Sequence, residues 1–110
     1  MTKKSSAAGN TRASISKHDE NTYSISGELD MSSVAGVLRD AAPVLEKESQ
    51  QLVFDLKDVS RSDSAGLALL VEWQQQAEQK NTHLKFINLP AQMQAIAHAS
   101  GLEDILPLDE

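Results

Sequence analysis

Ser64 is the side chain in this sequence best placed to carry a reversible chemical change. It lies in Ser62-Asp63-Ser64-Ala65-Gly66-Leu67, between a short apolar run, Leu52-Val53-Phe54-Asp55-Leu56, and a stretch with helical spacing. A hydroxyl at a helix N-terminus suits a phosphoryl group, because free N–H groups and the helix dipole stabilise the added charge. Modification there would release a partner without unfolding the domain. The same residues also read as plain capping: Ser64 or Asp63 accepts from the first free N–H groups, and Gly66 allows close approach in the first turn. Leu69 and Trp73, four apart, form either a contact patch beside Ser64 or part of the core.

Other chemistry finds little support. His18, His83 and His98 are scattered and have no metal-ligand spacing. The chain has no cysteine, which excludes disulfides and thiolate metal sites. Glu28 and Asp30 would share a face of a continuing strand, as an acid–base carboxylate pair must, but solvation of a strand end explains them as well. Five glycines are spread without the pattern of a phosphate loop. Ser64 lacks the Gly-x-Ser-x-Gly frame of a hydrolase. The reading is therefore a binding module, with no catalytic residue, no metal and no cofactor.

The elements that must position these residues follow from periodicity. Residues 1–12 read as a disordered leader and 13–110 as one domain. Ala13–Ser16 and Thr22–Gly27 alternate as strands of a hairpin. Ser32 or Ser33 offers an N-cap for a helix from Val34 to about Glu48, with Val34, Leu38, Ala41 and Leu45 on its apolar face and a kink expected at Pro43. Leu52–Leu56, apolar on both faces, reads as a central strand covered on both sides. The polar run from Lys57 reads as a connection. A second helix follows from about Ala65 to Lys80, with Leu67, Leu70 and Val71 inward. Leu84–Ile87 reads as a strand. A third helix opens near Pro90, carries Met93, Ile96 and Ala97, and stops at Gly101. Ile105–Leu108 closes as a short strand or docked tail. The order β-β-α-β-α-β-α implies an α/β fold: a mixed sheet with flanking helices.

Charge bounds the partners. Of 110 residues, 10 are basic and 16 acidic, for a net charge of −6. Without Lys3, Lys4 and Arg12 the body carries 7 basic and 16 acidic residues, or −9. Nucleic acid and anionic membrane surfaces are disfavoured by that sign. No apolar run reaches the roughly 18 residues of a membrane span, so no membrane insertion is expected. The basic N-terminus has no apolar region behind it, so no export signal is read and a cytoplasmic protein is expected.

Three blocks carry a family resemblance: Ser26–Asp30 (SGELD), Leu56–Leu70 (LKDVSRSDSAGLALL) and Ala99–Leu106 (ASGLEDIL). In that order they resemble the STAS domain family (sulfate transporter and anti-sigma factor antagonist) over residues 13 to 108. The resemblance implies a mixed sheet with flanking helices and a non-enzymatic binding module. Within the family the chain looks most similar to the STAS subunit of the Mla phospholipid-transport ABC system. That branch implies a partner, the ABC transporter ATPase subunit. It also implies a place at the cytoplasmic side of the inner membrane, reached through that partner, and a role in lipid asymmetry. The alternative branch, the anti-sigma factor antagonists, implies a serine-kinase anti-sigma factor as partner and phosphorylation at the position of Ser64. Those antagonists more often carry a second serine where this chain has Ala65. On either branch the resemblance, with the local reading above, sets the partner-binding residues as Asp30, Asp63, Ser64, Gly66, Leu69 and Trp73.

Overall fold

The structure is a computed structural model that describes residues 13–46, 51–102 and the backbone of 108–109. The leader at residues 1–12 and the segment 103–107 lie outside the described residues.

The element order is β1 (Ser14–Lys17), β2 (Thr22–Leu29), α1 (Val34–Glu46), β3 (Gln51–Ser62), α2 (Ser64–Gln79), β4 (His83–Ile87), α3 (Ala91–Ser100) and β5 (Leu108–Asp109). The strands form one sheet in the order β1-β2-β3-β4-β5. β1 pairs antiparallel with β2, and the remaining neighbours are parallel. Each parallel step moves the same way across the sheet through one helix. Right-handed crossovers therefore place all three helices on one face, and α2 packs between α1 and α3.

The expectation that β3 is covered on both sides is not met. Leu52, Phe54 and Leu56 face the helices and are buried, whereas Val53 and Asp55 are half-buried on the other face. No described helix covers that face. Its neighbours are hydroxyl side chains: Ser14 and Ser26 lie within 2.9 Å of each other, and the Ser24 hydroxyl donates to Asp58.

The core centres on Phe54. Its ring packs edge-on against Trp73 at 4.8 Å between centroids, Phe86 at 6.2 Å and Tyr23 at 6.3 Å. These T-shaped contacts match positive ring edges to negative ring faces. Ile25, Leu29, Val37, Ala41, Leu67, Leu70 and Met93 close around them, all buried. On α1 the inward residues are Val37, Ala41 and Leu45, with Val34 and Leu38 only partly buried beside them. Pro43 does not interrupt α1, which runs on to Glu46. Gly101, at φ 72°, ends α3 in the left-handed conformation as expected.

β3 is 12 residues long and runs to Ser62, six residues beyond the apolar run that announces it. From Ser24 to Ser26 the partners on β3 advance from Asp55 to Asp58, and from Gly27 to Glu28 they advance from Val59 to Arg61. β3 thus carries one extra residue at each of two bulges. Its inward side chains become Leu56, Val59 and Ser62, three apart instead of two. Gly27, opposite the second irregularity, has φ 93°, a backbone conformation that favours glycine. The two bulges carry β3 to the same height as the end of β2.

Truncating Phe54 to alanine is expected to lower stability by about 3–5 kcal/mol. Val53→Ala, on the open face, is expected to lower it by about 1 kcal/mol. Urea unfolding followed by Trp73 fluorescence measures both.

Candidate functional site

The carboxyl ends of β2 and β3 lie side by side, with Glu28 opposite Arg61 and Leu29 opposite Ser62. The Asp63 N–H donates to the Leu29 carbonyl at 3.2 Å. Two loops therefore leave the sheet together: Asp30–Ser33 into α1, and Asp63 directly into α2.

Asp63 is the N-cap of α2. Its backbone is extended (φ −115°, ψ −166°), and its carboxylate accepts from the Ala65 N–H at 2.8 Å. Such a cap satisfies one of the free donors of the first turn. Ser64 is the first helical residue and is exposed. The capping role thus falls to Asp63. No group among the described residues hydrogen-bonds the Ser64 hydroxyl, so it stands open to solvent at the positive end of a 16-residue helix.

Asp30 heads the other loop. Its carboxylate accepts from the Ser32 hydroxyl at 2.7 Å and the Ser32 N–H at 2.9 Å. These bonds, the hydroxyl's first, hold the Asp30 carboxyl below its ordinary value of 3.8. Ser33 sits where an N-cap belongs, since its carbonyl accepts from Val37. Its hydroxyl nevertheless turns back, accepting from the Asp30 N–H and donating to the Glu28 carbonyl. The expected serine cap thus braces the loop instead of serving the helix.

Gly66 is buried, and it explains how the two loops come so close. A Cβ there would collide with the Ser62 hydroxyl and lie 3.0 Å from the Leu29 Cβ and 3.3 Å from the Leu29 carbonyl oxygen. Gly66 thus holds α2 against the last residue of β2. On the α3 side, the Gln92 side-chain oxygen accepts from the Ser62 N–H at 3.1 Å.

Asp30, Asp63 and Ser64 form one rim, with Gly66 beneath them. Leu69 and Trp73 are buried, at 4% and 0% exposure. As a contact patch the pair is corrected: both belong to the core, and Trp73 is held there by Phe54. Sequence reasoning missed Ser33, Leu29 and Gln92, whose roles arise from pairings across the fold. It also missed Met31, 80% exposed next to Asp30, although an apolar residue between Asp30 and Ser32 was a visible signal.

The rim is shallow. An open depression of about 810 Å³ lies at the other end of the sheet, where Gln51 starts β3, His83 starts β4 and Glu78 sits in the last turn of α2. Among the described residues no cluster of His, Asp or Glu is arranged to hold a metal ion. Nor is any described helix long and apolar enough to cross a membrane.

The fold and rim define a small α/β domain of the kind seen in anti-sigma factor antagonists. A crystal structure of an anti-sigma factor antagonist from Mycobacterium paratuberculosis matches with a TM-score of 0.73 at 26% identity, over 87% of this chain and 82% of that one. The unphosphorylated form of the anti-sigma factor antagonist SpoIIAA matches in fold at 0.68 and 17% identity, over 89% of this chain and 88% of that one. The chain belongs to the STAS domain family: the family profile described as "Mlab, STAS domain" matches residues 14–107. It is also 34% identical over 94 residues to the anti-sigma-B factor antagonist of Bacillus subtilis, covering 84% of this chain and 85% of that protein. These relatives favour the anti-sigma factor antagonist branch over the transporter branch expected from the sequence.

Losing the Asp63 cap in Asp63→Ala is expected to lower stability by about 1 kcal/mol, and Gly66→Ala by about 1–3 kcal/mol through the clash with Leu29. Because the folded Asp30 carboxyl titrates below 3.8, its stabilisation is present at neutral pH and lost as pH falls through its folded pKa. The stability advantage of the parent chain over Asp30→Asn should accordingly vanish below that point in pH-dependent urea unfolding.

Proposed function

We propose that this chain is a non-enzymatic regulator of the anti-sigma factor antagonist type, which binds a serine-kinase anti-sigma factor through the rim of Asp30, Asp63 and Ser64 and is switched by phosphorylation of Ser64. The observation that carries the reading is the exposed Ser64 hydroxyl at the start of α2, beside a cap already supplied by Asp63. A phosphoryl group there leaves the Asp63–Ala65 cap intact and lies at the positive end of the α2 dipole. The domain therefore tolerates it. A partner seated on the rim does not, because about two negative charges would join Asp30 and Asp63 and need desolvation inside the contact. The identity to the Bacillus subtilis antagonist supports the choice of partner. Both phosphorylated and unphosphorylated forms exist for SpoIIAA, a neighbour in fold.

A second reading keeps the same rim and changes the partner to the ATPase of an Mla-type phospholipid transporter at the inner membrane. The name of the matching family profile and the alanine at position 65 favour it.

Affinity capture of the tagged chain from its own cells, with mass spectrometry of the bound proteins and of Ser64, separates the two. The proposal expects a serine kinase, phosphate on Ser64, and loss of capture in Ser64→Glu. Recovery of an ABC ATPase and permease instead would replace it with the transporter reading.

A further inference from the structure

Among the described residues Met31 is the large hydrophobic side chain left in water, at 80% exposure. Isolated exposed apolar residues are ordinary. This one differs in how it is held and in what surrounds it.

The loop that carries it is braced from within. The Asp30 carbonyl accepts from the Ser33 and Val34 N–H groups. The Asp30 carboxylate binds Ser32, and the Ser33 hydroxyl ties the Asp30 N–H to the Glu28 carbonyl. Every polar side chain of the loop is turned onto the loop itself, and its apolar side chain is turned out. The loop that carries the anchor is thus ordered before binding, which leaves the Met31 side chain itself as what must be fixed.

Met31 also stands two residues beyond Leu29, whose carbonyl receives the Asp63 N–H. It therefore flanks the Ser64 rim. Neither Asp30 nor Asp63 has an ion-pair partner among the described residues, and Asp30 is held ionised by Ser32. The patch thus combines one flexible apolar side chain with two uncompensated negative charges. Such a patch complements an apolar pocket rimmed by Lys or Arg. A methionine, unbranched and polarisable, adapts to such a pocket. An anionic lipid surface has the wrong sign for these carboxylates.

We propose that Met31 is the apolar anchor of the docking face, inserted into a basic-rimmed apolar pocket of a partner protein. This rests on the reading of the Ser64 rim as the docking face.

The test uses the full chain and the purified kinase or ATPase recovered with it. Calorimetric titration is expected to show affinity weakened by about tenfold or more in Met31→Ser, and within about threefold of the parent in Met31→Leu. Unchanged thermal midpoints would show that both variants fold. Mild peroxide should oxidise Met31 in the free chain and spare it in the complex, with buried Met93 slow in both. If Ser64→Glu weakens binding and Met31→Ser does not, the anchor is overturned and the rim stands. If neither weakens it, both are overturned. Binding to phosphatidylglycerol vesicles that is lost in Met31→Ser would overturn a protein partner for this residue.

Discussion

Helix α2 starts against the last residue of β2 because Gly66 has no side chain there. A Cβ would meet the Leu29 Cβ at 3.0 Å and the Ser62 hydroxyl. That contact fixes the height of α2 relative to β2. It thereby fixes the distance between the loop at Asp30 and the helix start at Ser64. Two further constraints feed it. The bulges bring β3 level with the end of β2, and Gly27 accepts the positive φ that the second irregularity needs. Without them the Asp63 N–H would not reach the Leu29 carbonyl, and the rim would come apart into two unrelated loops.

A rim at the carboxyl ends of parallel strands is where open α/β sheets generally present their binding groups. Here the exposed Asp63 and Ser64 lie beside Asp30 and one exposed apolar side chain, Met31, a combination that suits a protein contact. The electrostatics also explains how one modification can act locally. On the proposed reading, phosphate on Ser64 would meet the positive end of α2 in the free domain and would add to the charge of Asp30 and Asp63 in a complex. The proposal therefore places the cost of the modification on the interface and not on the fold.

The sequence was legible where periodicity follows the fold directly. Helices α2 and α3, the opening hairpin and the stop at Gly101 all follow from local pattern. Strand β3 was half legible. Its first residues are apolar, but the bulges change the inward spacing from two to three, so Val59 and Ser62 look like loop. Leu69 and Trp73 stand between contact patch and core in the sequence, because spacing alone does not show that a helix between two neighbours buries more than one face, as α2 does between α1 and α3. Of the rim, Asp30, Asp63, Ser64 and Gly66 were visible as residues. Their meeting was not, because it depends on strand register.

The central claim is that Asp30–Val34 and Asp63–Leu67 form one docking face. Amide hydrogen exchange of the full chain, free and bound to its purified partner, tests it most directly. The account predicts new protection in those two segments together, with little change on the open face of β1 and β2. Protection confined to that open face, or to the depression at the starts of β3 and β4, would contradict it.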